Sequence, residues 1–110
     1  MSNVPGKPQT VLSASGAISA APGLYHITKA GVAALTLANP DPDGIQMTLV
    51  DEGGHAHTIT VPIVGSPPTA GLNGGTKSII TFNGTAGSSV ELISRAGSWW
   101  TGPLNGVTLS

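Results

Sequence analysis

From Pro22 onward the chain is cut into short pieces, and that punctuation limits what it can fold into. Apolar and β-branched residues alternate with polar ones for a few positions, and each run ends in Gly, Pro or Asn. Such runs read as strands, because side chains of an extended backbone point alternately to opposite faces. The clearest are Leu24 to Thr28, Ala34 to Leu37, Ile45 to Val50, His57 to Val61, Ser78 to Phe82, Ser89 to Ile93, Ser98 to Thr101 and Val107 to Leu109. Turn signals such as Pro22-Gly23, Gly53-Gly54, Asn83-Gly84, Ala96-Gly97 and Asn105-Gly106 separate them. Along Ile45, Met47 and Leu49 the apolar side chains take one face while Gln46 and Thr48 take the other. His57, Ile59 and Val61 repeat this against Thr58 and Thr60. The one window with helical spacing, Ile27 to Leu37, contains Gly31 and the β-branched Thr28, Val32 and Thr36, which leaves at most a short turn.

Strand-sized runs at this spacing predict an all-β fold, an antiparallel β-sandwich or jelly-roll-like barrel, over residues 22–110. Before it, residues 1–21 combine Pro5, Gly6, Pro8 and Gly16 with a small polar stretch, and read as an extended N-terminal arm. Val4, Val11, Leu12 and Ile18 are apolar handles that such an arm cannot bury alone, so it should lie along its own body or along a neighbour. Residues 62–71, with Pro67 and Pro68 at their centre, read as a long uncharged loop suited to contact.

Composition then removes whole classes of function. Charged residues are 8% of the chain, against about 25% in an average domain, and the net charge is -1. A surface with so little charge resists association weakly, which favours an oligomer or an assembled state. The four basic residues, Lys7, Lys29, Lys77 and Arg95, are scattered and form no run able to neutralise several phosphates, so no nucleic acid is expected as a partner. Cysteine is absent, which excludes disulfides and thiolate metal sites. No stretch approaches a membrane span, and Met1 to Gln9 lacks the pattern of a signal peptide.

Residues with chemical potential are few. Asp51, Glu52, His55 and His57 stand together, and two histidines on one strand face with a carboxylate across a turn are the beginnings of a metal site. A closed set of four ligands is missing, and strand-end histidines and turn carboxylates ordinarily face solvent. Asp41 and Asp43 flank Pro42 without the bidentate Glu that a calcium loop needs. No serine stands in a nucleophile elbow, and Gly71 to Lys77 lacks the order of a phosphate loop. No catalytic, cofactor or metal residue is therefore assigned, and the chain is not expected to be an enzyme. Trp99 and Trp100 are adjacent on one strand, so one should enter the core and the other face outward, where it could stack on a sugar or anchor an interface.

From Ala34 to the end the chain carries a series of short signals: Ala34-Leu35-Thr36-Leu37, Asp43-Gly44, His57-Thr58-Ile59, Leu72 to Lys77, Thr81-Phe82, Gly87 to Leu92 and Gly97-Ser98-Trp99-Trp100. The series resembles small β-structured virion proteins of tailed phages. The group is similar to capsid decoration, or cement, proteins, and related endings occur in tail fibre and spike proteins. The chain departs from the group in the Pro62 to Gly71 insertion and in Trp99-Trp100, where Trp followed by Tyr is more usual. The resemblance implies a homotrimer on the capsid exterior, bound to the major capsid protein and stabilising contacts between capsomers. On that expectation the contact residues are Val4, Val11, Leu12, Ile18, Pro67, Pro68, Trp99 and Trp100. The alternative is a fibre, spike or carbohydrate-binding domain that uses an exposed Trp.

Overall fold

The computed structural model describes residues 9–62 and 71–110. Val4, Pro67 and Pro68 lie outside the described residues. The strands are β1 (Gln9–Leu12), β2 (Gly16–Ile18), β3 (Gly23–Ile27), β4 (Ala34–Leu37), β5 (Gln46–Asp51), β6 (Thr58–Thr60), β7 (Ile79–Phe82), β8 (Ser89–Arg95), β9 (Ser98–Asn105) and β10 (Val107–Leu109). They form two five-stranded sheets, ordered β1-β3-β5-β8-β9 and β10-β7-β6-β4-β2, packed as an all-β sandwich.

The path between the sheets departs from the antiparallel expectation. Through its first six strands the chain alternates sheets, so β1, β3 and β5 stack in one and β2, β4 and β6 in the other. The pairings β1–β3, β3–β5, β2–β4 and β4–β6 are consequently parallel. This half of the molecule is a two-sheet coil of three turns: residues 9–18, 23–37 and 46–60. Parallel neighbours need a long crossover, and here each crossover runs through a strand of the opposite sheet. Corner bonds carry the stacking past the strands: Thr28 N–H donates to Leu12 O at 2.9 Å, Glu52 N–H to Ile27 O at 3.0 Å, and Ala38 N–H to Ile18 O at 3.0 Å. The later pairings β5–β8, β8–β9, β6–β7 and β7–β10 are antiparallel and close the stack at its far end.

Alternation decides what enters the space between the sheets. Register aligns Tyr25, Leu49 and Val90 across the first sheet and Leu35, Ile59 and Ile80 across the second, all buried. Phe82, Met47, Leu92 and Trp99 fill the middle. The segment expected as an arm supplies β1 and β2 from residue 9 onward, and its Ile18 is part of this core. The corner between Ile27 and Ala34 holds no helix. The single helical element among the described residues is a 3-10 turn, Leu72–Gly74.

Candidate functional site

Asp51 and His57 contradict the expectation that turn carboxylates and strand-end histidines face solvent: both are wholly buried. Asp51 ends β5 with its side chain turned inward, in register with Ile27, and the tight corner that follows surrounds it with donors. Its Oδ1 accepts from Gly54 N–H at 2.8 Å and from His57 Nε2 at 3.1 Å, and its Oδ2 accepts from His55 N–H at 3.1 Å. The other ring nitrogen of His57, Nδ1, accepts from Ala33 N–H at 2.9 Å, which fixes the proton on Nε2. A buried carboxylate is tolerable when it is hydrogen-bonded this fully. Each of the four side-chain polar atoms of the pair has a partner within the protein, and both residues are wholly buried, so the pair braces one corner of the coil. His55 contributes its backbone N–H rather than its ring. Among the described residues no three His, Cys, Asp or Glu side chains converge.

Glu52, the next residue, turns outward. Its Oε2 lies 2.6 Å from Nδ1 of His26, an ion-pair distance without hydrogen-bond alignment, while Nε2 of His26 meets Gln9 Oε1 at 3.0 Å. This exposed set ties β1 to β3.

The two ends of the stack differ. At the near end, β1 and β2 are the outermost strands of their sheets, and each is paired on one side only among the described residues. Val11 is 63% exposed on the outer face of β1, and Leu12 points inward in register with Ile27 but is only half-buried. At the far end, the outer side of β9 is occupied. Thr101 N–H donates to Asn73 Oδ1 at 2.8 Å, and Asn73 Nδ2 donates to Thr101 Oγ1 at 3.1 Å. Asn73 reaches this position in a left-handed conformation, φ 57°, that asparagine tolerates better than most residues. Pro103 in the same strand has no N–H to offer. Nothing in the sequence beyond a turn-forming Asn-Gly-Gly pointed to this clamp.

The tryptophans divide as alternation requires. Trp99 is a core residue whose Nε1 donates to Ala38 O at 2.9 Å. Trp100 is 39% exposed on the outer face of the first sheet, and its Nε1 donates to Arg95 O at 2.9 Å. With Ile93, Arg95 and Ala96 it lines a shallow, open groove. Gly74 packs against the indole so closely that a Cβ there would stand 3.3 Å from the ring. Of the residues expected to make contacts, Ile18 and Trp99 therefore face the core, Leu12 is half-buried, and Val11 and Trp100 are exposed. The structure does not bring these two together: β1 and β9 are opposite edges of one sheet.

Among the described strand residues, the outer face of the second sheet also carries no charge. Register places Ala34, Thr58, Thr81 and Thr108 in one row and Ala17, Thr36, Thr60 and Ile79 in the next. No protein-family model matches the chain, and a search of curated proteins finds no match.

Proposed function

We propose that the chain is a virion structural protein of the decoration type, which attaches to the outer surface of a tailed-phage head and ties neighbouring capsomers together. The observation that supports this reading is the near end of the stack, where two edge strands without charged residues present exposed Val11 and half-buried Leu12, with the Glu52–His26 pair beside them. Charged residues are depleted at the cores of protein interfaces, and an edge strand supplies backbone donors and acceptors that only another chain or water can satisfy. Such contacts are individually modest, and several copies acting on one lattice would slow dissociation by multivalency. The test is co-sedimentation of the purified full chain with heads that lack it, prepared from the phage carrying its gene. Saturable binding at a fixed ratio to the shell protein, with heads that withstand higher temperature, is the expected result. Heads that pellet without the protein at micromolar concentrations contradict the reading.

The groove beside Trp100 favours a second reading, a fibre or spike domain that binds carbohydrate. An outward indole next to an apolar wall and the Arg95 guanidinium is a platform on which a sugar ring can stack. Glycan-array binding that disappears in Trp100→Ala, a variant that leaves the core intact, would favour this reading over the first.

A further inference from the structure

We infer that the groove beside Trp100 selects an acidic sugar, one whose ring lies against the indole and Ile93 while its carboxylate pairs with Arg95. This rests on the carbohydrate reading of the groove given above and names the class of sugar that the groove takes.

Trp100 is held in place as a platform. Alternation along β8 puts Ile93 and Arg95 on the outer face of the first sheet, and register sets Trp100 opposite Ile93. The polar edge of the indole is engaged within the protein, since Nε1 donates to Arg95 O at 2.9 Å. The six-membered ring lies against Gly74, where a Cβ would stand 3.3 Å from Cη2 and 3.4 Å from Cζ2. Both ends of the indole are fixed before any ligand arrives, which lowers the entropy cost of stacking. What the indole leaves to a ligand is carbon and π surface, and with Ile93 and Ala96 beside it this wall suits the C–H face of a sugar ring.

Arg95 sets the charge of that sugar. Among the described residues lining the groove it alone is charged. All five carboxylate side chains of the protein fall within the described residues, and none forms an ion pair with Arg95. Asp51 and Glu52 are taken by His57 and His26, and Asp43 Oδ1 accepts from Ala96 N–H at 3.1 Å. Residues 1–8 and 63–70 contain no Asp or Glu to occupy the guanidinium instead. A neutral ring seated here would strip water from the guanidinium and return no charge, whereas a carboxylate returns a charge-assisted, bidentate pair. One planar cation at the edge of an apolar wall therefore fits a ring that carries one carboxylate, of the uronic or sialic acid type. Asp43, held at Ala96, opposes a second negative charge on the ligand.

An array of neutral, uronate-bearing and sialate-bearing oligosaccharides, each acid printed beside its methyl ester, tests this on the full chain, with Arg95→Gln and Trp100→Ala alongside and circular dichroism to show that each is folded. The native chain is expected to hold the acids it binds at least about tenfold more tightly than their esters, by a margin that narrows as salt is raised. Arg95→Gln keeps the carbonyl that anchors the indole and is expected to bind acid and ester alike, at the affinity the native chain has for the ester. Trp100→Ala is expected to bind neither. Equal native binding of acid and ester, or an acid preference that survives in Arg95→Gln, overturns the inference and leaves the carbohydrate reading in place. A native chain that binds no sugar on the array, acidic or neutral, removes both.

Discussion

Asp51 and Glu52 are adjacent acidic residues, yet one is wholly buried while the other is 47% exposed at its side chain. Asp51→Ala removes the acceptor of Gly54 N–H, His55 N–H and the His57 ring in a site no water reaches, and should cost about 3–5 kcal/mol. Glu52→Gln alters an exposed contact with His26 and should cost less than about 1 kcal/mol. Urea unfolding of both variants checks the contrast, and equal midpoints would mean that the corner is not braced by Asp51. His57 was half legible in the sequence, since its alternation with Ile59 and Val61 pointed inward although its polarity pointed outward. Alternation prevailed because Asp51, six residues before it, and Ala33, 24 residues before it, supply its two partners. Tyr25 has a hydroxyl that donates to Ala21 O at 2.6 Å, and burial raises its pKa above 10.0. The folded state therefore holds this proton more tightly than the unfolded chain does. Its contribution is complete below pH 10 and is lost as pH rises through the raised folded value. Thermal melts from pH 9 to 12 should show a decline in stability that is shallower in Tyr25→Phe.

Eight of the strands fall where short alternating runs and turn residues place them, because local sequence determines both burial face and punctuation. Their partners were not legible, because alternation is the same in parallel and antiparallel sheets. Nor do turn signals say which sheet the chain enters next: Pro22-Gly23 and Gly53-Gly54 each carry it across to the opposite sheet. The strands β1 and β2 were hidden in an arm because three or four residues of Thr, Val, Leu, Ala and Ile flanked by serines give too short a pattern. Only their parallel neighbours β3 and β4 make them strands. The Asn73 clamp is a tertiary feature of the same sort. Asn73→Gly keeps a residue at ease with φ 57° but removes its bonds to Thr101, and should cost about 1–2 kcal/mol. Exchange of the Thr101 amide should then speed up by about tenfold or more, since 1.4 kcal/mol corresponds to a factor of ten. An amide that stays protected would show that something other than Asn73 closes the far edge. Trp99→Ala, by contrast, opens the centre of the core and should cost about 3–5 kcal/mol.

For the whole molecule, scarcity of charge and a coil whose first turn is, among the described residues, paired on one side only point the same way, toward assembly. Uncharged rows on the outer face of the second sheet add to the surface available for assembly. The decoration reading requires that residues 9–18 form a wall of the body and not a tether. Amide hydrogen exchange on the free full chain, at a concentration below any self-association, tests that requirement directly. Slow exchange is expected across β3, β4 and β5, with measurable protection of the β1 and β2 amides that face them. Exchange of residues 9–18 at the rate of an unstructured peptide, with the remainder protected, would contradict the coil and return this segment to the status of a free arm.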